Sequence, residues 1–257
     1  MKRIFTLTAG RTGSAWLADF LSKNIACEVI HEPLGIEDFG YTMPDIKLMR
    51  TFNNYGNTDA IRYFWRQKLA SITSDVYAET NHTLGKCGLI ENLAISDFRE
   101  CSSIIILKRD LVKQCCSYLQ RGDFSNITIA WQWYLHPSYH RILVDPRPFE
   151  KLGAIAAPLW YCYEMYVRQE YYYRNYSKKI SMIEVDLEQI VLPEGAEALL
   201  NSLGYDKSPV IPSPKNQGRL KESEELHNLI KSTIKKIKID VDEILSRAIE
   251  KNFSFDV

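Results

Sequence analysis

The stretch Ile4-Phe5-Thr6-Leu7-Thr8-Ala9-Gly10-Arg11-Thr12-Gly13-Ser14-Ala15-Trp16-Leu17 is the most informative in the chain. An apolar run of strand character enters a short turn of glycine, arginine and hydroxyl residues, and a helix-like pattern follows at once. Such a strand–turn–helix aims free backbone N–H groups and the positive end of a helix dipole at one point, an arrangement that holds phosphate. The turn lacks the Gly-Lys-Ser/Thr ending of a triphosphate-binding loop. Gly10, Arg11, Thr12, Gly13, Ser14, Ala15 and Trp16 are therefore expected to cradle an anion, with no sign of magnesium-dependent triphosphate chemistry.

Outward from this segment, short β-rich runs alternate with helical spacing. Residues 4–8, 27–31, 76–80, 103–108 and 180–186 have buried-strand character, and 14–23, 58–71, 88–98 and 111–121 have helical spacing. Strands separated by helices imply an α/β fold of three layers, with a mostly parallel central sheet flanked by helices. Ligands of such sheets bind beyond the carboxyl ends of the strands. The opening turn, His31-Glu32, residues 79–82 and Arg109 all fall at such ends, which suggests one site.

The 257 residues suit a single domain, 1–257, with one core. Residues 123–178 form an aromatic-rich helical insertion in this expectation, and 220–257 form C-terminal helices. The aromatics, among them Trp131, Trp133, Tyr134, Trp160 and Tyr161, either pack on the sheet or wall an acceptor pocket. The lysines at 231, 235, 236 and 238 fit a solvated helix face.

Lys plus Arg and Asp plus Glu are equal at 32 each, so no global field favours nucleic acid or membrane. No run of about twenty apolar residues or secretory signal occurs. The six cysteines have no framework or metal-ligand spacing. Reduced thiols, a cytoplasmic location and no metal are the expectation. A homo-oligomer is compatible with the sequence.

A second motif follows the strand at 103–108. Arg109 stands at the strand end, and Ser117-Tyr118 comes eight residues later, about two helical turns on. An arginine fork there suits a phosphate. The two motifs together resemble the sulfotransferases that use 3′-phosphoadenosine 5′-phosphosulfate (PAPS). Residues 10–17 are similar to the family's 5′-phosphosulfate loop, although Gly10 stands for the usual proline and Ala15 for a hydroxyl residue. Arg109 and Ser117 match its 3′-phosphate ligands. The segment Ile183-Glu184-Val185-Asp186-Leu187-Glu188 resembles the family's strand ending in Tyr-Glu-Asp-Leu. The likeness touches about residues 3–35, 75–122 and 180–220.

The resemblance implies a P-loop-like sulfotransferase fold, PAPS as co-substrate, and sulfuryl transfer to a hydroxyl of a glycan or other small molecule. Arg11 would stabilise the leaving group. For the base, Glu32 resembles the Glu-Pro element of carbohydrate enzymes. Residues 79–82 (Glu79-Thr80-Asn81-His82) resemble their Glu-Lys-Thr-Pro and, more loosely, the Lys-Thr-His of aryl enzymes, so Glu79 and His82 stand as alternatives. On an extended chain His31 and Glu32 point opposite ways. Lys86 is expected at the surface, and His136 and His140 have no assigned role. Lys215 and Arg219 fall where the family closes a basic loop over the nucleotide. Outside that family, a P-loop kinase-like phosphotransferase and an inert nucleotide-binding module remain as alternative functions.

Overall fold

The computed structural model describes residues 1–33, 35–125, 133–214 and 223–256. Among them, β1 (Lys2–Thr8), β2 (Glu28–His31), β3 (Val76–Thr80), β4 (Ser102–Lys108) and β5 (Ser181–Asp186) form one sheet in the order β2-β3-β1-β4-β5. Every pairing is parallel. The central strands β1 and β4 are buried on both faces, as suits their Ile/Leu-rich centres, whereas the edge strands β2 and β5 combine half-buried and exposed residues.

Alternation along β1 divides the core in two. Ile4 joins Ala78, Ile105 and Leu107 on one face, where α1 (Ser14–Asn24) and α8 (Pro193–Ser202) bury Trp16, Leu17, Phe20, Leu21, Leu199 and Leu200. Phe5 and Leu7 join Ile104 and Ile106 on the other. That face is covered by α2 (Ile46–Tyr55), α3 (Asp59–Ser71), α4 (Leu89–Ala94), α5 (Leu111–Arg121) and α6 (Ala156–Tyr176). The architecture is thus α/β with helices on both faces of a parallel sheet. A short α7 (Leu187–Ile190) follows β5, and α9 (Glu224–Ile237) and α10 (Val241–Glu250) lie at the C-terminal end. Lys231, Lys235, Lys236 and Lys238 are exposed. No helix among the described residues is long and apolar enough to cross a membrane.

Three elements differ from the sequence expectation. Helix α2 has no counterpart in it, although Asp45 caps the helix by accepting from the Leu48 N–H at 2.6 Å, a usual start signal. Helix α4 stops at Ala94 rather than Phe98. In the aromatic stretch, the described residues ahead of Ala156 form no α-helix, and 3-10 turns stand at Arg147–Phe149 and Gly153–Ile155. Pro137, Pro146 and Pro148 deny that segment a continuous helical ladder.

Helix α6 holds this irregular segment through a buried ion pair. Arg168 Nε meets Glu164 Oε1 at 2.7 Å. Glu164 also accepts from the N–H groups of Leu143 and Val144 at 3.0 and 2.8 Å, and Arg168 donates to the Arg141 carbonyl at 2.7 Å. Every charge has partners beyond its opposite, the condition under which a buried pair is tolerated.

Candidate functional site

The site lies where β1 ends, between neighbours β3 and β4 whose chain connections diverge, the crevice favoured for ligands in open parallel sheets. Gly10 and Gly13 have φ of 86° and 87°, and Arg11 has φ of 55°. A Cβ on Gly13 would lie 2.5 Å from Leu187 Cδ1. Only glycine fits there, because α7 packs directly on the turn.

Three carbonyls of the turn, those of Ala9, Gly10 and Arg11, are held by side chains of the fold. Ala9 O accepts from Tyr118 and Tyr161 at 2.8 and 2.7 Å. Gly10 O accepts from Tyr118 at 2.8 Å and Gln114 Nε2 at 2.9 Å. Arg11 O accepts from Arg109 Nη1 at 2.8 Å. With the oxygens committed behind the turn, the negative ends of its dipoles point away from the crevice. Among the described residues no side chain caps α1, so the first-turn N–H groups of Ser14, Ala15 and Trp16 are left for an anion.

Arg109 and Ser117 stand directly beside the turn. Arg11 Nε donates to Ser117 Oγ at 3.0 Å, and Arg109 reaches the Arg11 backbone, so the three make one basic ledge beside the turn. Arg109 Nε is buried with no partner, an orphan donor of the kind that needs an acceptor from outside. Burial, and then the nearby Arg121, lower the Arg11 pKa, with Asp123 opposing them. Thr12 is buried, with its hydroxyl against that of Thr8. Trp16 Nε1 donates to Pro212 O at 3.1 Å, and Asn24 exchanges two hydrogen bonds with the Val210 backbone. The chain leading to Lys215 is thereby tied to α1. Lys215 and Arg219 themselves lie outside the described residues.

The opposite wall carries Glu32 and His82. Glu32 has φ of 47°, so the strand has ended at His31 and the expected opposition of the two side chains does not hold. Glu32 Oε1 lies 4.0 Å from His82 Nε2, with the side chains 24% and 15% exposed. His31 Nδ1 lies 2.9 Å from both oxygens of Thr80. His82 stacks on Tyr134 at 5.8 Å, and its Cγ would be 3.4 Å from a Cβ at Gly10. The imidazole therefore rests directly against the anion turn. Burial first, then the charges of Lys86, His31 and Arg121, lower its pKa well below the ordinary histidine value.

Two expectations fail here. Glu79 does not reach the crevice. It shares a β3 face with Tyr77, which turns it onto α3, where Lys68 Nζ meets it at 2.7 Å. Tyr77 Oη and Asn81 Nδ2 complete its shell at 2.7 and 3.1 Å. Fully buried and fully partnered, Glu79 is an internal anchor and not a base. Lys86 is not at the surface either, for it is 0% exposed. Its Nζ donates to Trp133 O and to Tyr161 Oη at 3.1 Å and lies 2.8 Å from His82 Nδ1. Nothing local in the sequence marks Lys86, since two of its partners come from residues 47 and 75 positions away. The burial of Lys68 was more visible: Ile61, Phe64, Trp65 and Leu69 set a helical stripe that includes it.

The chain matches no protein-family model and no curated protein sequence. Among solved structures, it is similar to a sulfotransferase from Alicyclobacillus acidocaldarius, with 14% identity, coverage of 96% of each chain and a TM-score of 0.48.

Proposed function

We propose that this protein is a sulfotransferase that moves a sulfuryl group from PAPS to a hydroxyl of a carbohydrate or other small molecule. The observation that carries this reading is the contact between two motifs 106 residues apart, Arg11 Nε on Ser117 Oγ at 3.0 Å. One anion cradle and one arginine–serine pair on a common ledge suit a nucleotide phosphorylated at both its 3′ and 5′ positions better than a triphosphate.

In this reading the N–H groups of the turn and of the first turn of α1 hold the 5′-phosphosulfate, with Thr12 and Ser14 beside them. Arg109, through its orphan Nε, and Ser117 take the 3′-phosphate, and Lys215 and Arg219 belong to the same nucleotide side. Arg11 stabilises charge on the bridging oxygen, and, being always protonated, it acts by charge and not as an acid. Glu32 takes the acceptor's hydroxyl proton as the new O–S bond forms. The 5′-phosphate leaves with the electron pair of the broken bond, as adenosine 3′,5′-bisphosphate. Preorganised charge and positioning supply most of the acceleration, as in phosphoryl transfer.

Calorimetric titration with adenosine 3′,5′-bisphosphate and with ATP tests the nucleotide, and transfer of labelled sulfate from PAPS to a panel of hydroxylated acceptors tests the reaction. The bisphosphate is expected to bind more tightly. Glu32→Ala is expected to lower kcat about 10²–10⁴-fold while nucleotide affinity stays nearly unchanged. Tighter binding of ATP, or no label in any acceptor, overturns the reading.

A further inference from the structure

We infer that Lys86 sets the tautomer of His82, so that its protonation decides whether His82 presents a hydrogen-bond donor or an acceptor at Nε2 towards Glu32 and the crevice. The functional weight of this inference rests on the proposed reaction site, but the hydrogen-bond argument does not. Lys86 is a positioning residue here, acting on the acceptor side through the imidazole.

The argument counts hydrogens. An ammonium has three donors and no acceptor. Lys86 Nζ has three partners: Trp133 O, Tyr161 Oη and His82 Nδ1. The Trp133 carbonyl can only accept. Tyr161 has committed its own hydrogen to Ala9 O at 2.7 Å, so towards Lys86 it also accepts. The protonated lysine therefore requires an unprotonated Nδ1. A neutral His82 then carries its hydrogen on Nε2, the nitrogen 4.0 Å from Glu32. In that state His82 donates towards the carboxylate and leaves Glu32 as the base.

Loss of one proton from Lys86 to solvent reverses the pattern. A neutral amine has two donors and a lone pair. Trp133 O and Tyr161 Oη still need the two donors, so the lone pair faces His82. Nδ1 must then carry the ring hydrogen, and Nε2 becomes an acceptor beside the anion turn. The ring's hydrogen moves from Nε2 to Nδ1 by exchange with solvent, so its net charge does not change. Burial pushes the Lys86 pKa down to about 7, which places the exchange near neutral pH.

Other charges bear on both groups. His31, Arg121 and Glu32 face His82, and Cys87, Glu32 and Arg168 act on Lys86. Tyr134 lies against both side chains. No carboxylate is within ion-pair distance of Lys86 among the described residues, and the more distant Glu32 and Cys87 oppose burial without outweighing it.

The test is ¹⁵N NMR of the histidine ring nitrogens in the full chain, with His82 assigned by loss of its signals in His82→Asn. In the wild type, Nε2 is expected to carry the hydrogen at about pH 6 and Nδ1 at about pH 8.5. Lys86→Met should hold one tautomer throughout. Tyr161→Phe removes one acceptor, so that even the neutral amine can give its two hydrogens to Trp133 O and Nδ1, and the exchange should be lost with the ring hydrogen kept on Nε2. A single tautomer across the range in the wild type, or an exchange that persists in Lys86→Met, overturns the assignment. Should Lys86→Met not fold, an exchange that persists in Tyr161→Phe does the same. The exchange without sulfate transfer would remove the proposed function and leave Lys86 standing. An active transferase with a fixed tautomer would remove only the Lys86 assignment.

Discussion

Two lysines are buried on the same side of the sheet, and their surroundings differ in one respect. Lys68, on α3, meets the carboxylate of Glu79 at 2.7 Å inside the core. Lys86, just after β3, meets a carbonyl, a phenol and an imidazole, all neutral acceptors. Charge on the first is matched within the fold, so the pair is an internal clamp between helix and strand. Charge on the second meets no carboxylate at contact distance among the described residues, so burial loosens its proton and its partners respond to it. The clamp lies behind the sheet end, and the responsive cluster lies against the turn formed by Gly10 and Arg11.

The largest expected effect breaks the clamp. Lys68→Met leaves the Glu79 carboxylate buried with only Tyr77 and Asn81 as donors, and removal of one partner of a buried pair costs about 3–5 kcal/mol. Adding Glu79→Gln should recover much of the loss, because no charge then remains uncompensated. Lys86→Met leaves no charge behind, only the neutral groups Trp133 O, Tyr161 Oη and His82 Nδ1 without their lysine partner, at a cost of about 1–3 kcal/mol for a buried polar group left unpaired. Urea denaturation of the four proteins measures the contrast. Equal losses for Lys68→Met and Lys86→Met would show that the two lysines are not different in kind.

A second, smaller effect separates the anion ledge from both lysines. Arg109→Ala removes one charge-assisted donor to the nucleotide, about 1.5–3 kcal/mol, and should weaken adenosine 3′,5′-bisphosphate binding by about one to two orders of magnitude. The same change in Lys86→Met would place Lys86 on the nucleotide side of the crevice. Equal nucleotide binding by wild type and Arg109→Ala would remove the 3′-phosphate assignment.

The contrast between ledge and base side also marks what the sequence could tell. The ledge is legible because its groups are local to strand ends. A strand, a glycine turn and an arginine after the next buried strand specify their own positions, and parallel pairing then brings them together. Residues 4–8 and 103–108 were assignable as buried strands from their short, β-rich, largely apolar runs. The base side is not legible in the same way. Glu79 has the appearance of a polar strand exit, but its alternation with Tyr77 and the apolar stripe around Lys68 point it inward. Lys86 has no periodic neighbours at all. Its burial is made by Tyr161 and Trp133, which arrive from a segment that no motif covers. Glu32 was placed by its sequence context, while its left-handed backbone, which turns it towards His82, depends on where β2 stops.

The smallest effect examines the responsive lysine through stability alone. An unfolded lysine titrates near 10.4, whereas burial sets Lys86 at about 7 in the fold. Between these values the unfolded chain binds one more proton than the folded one, so unfolding takes up a proton. Wild-type stability should therefore rise with pH in that window, by at most about 1.4 kcal/mol per pH unit for this group. The lowered pKa of His82 has the same sign but acts below the ordinary histidine value, outside the window. Lys86→Met has no such proton to take up. The stability difference between wild type and Lys86→Met should widen in favour of the wild type from about pH 7 to about pH 9, which urea midpoints at several pH values will measure. Parallel curves would mean that Lys86 keeps its proton in the fold, and the distinction between the two buried lysines would then be one of partners and not of charge.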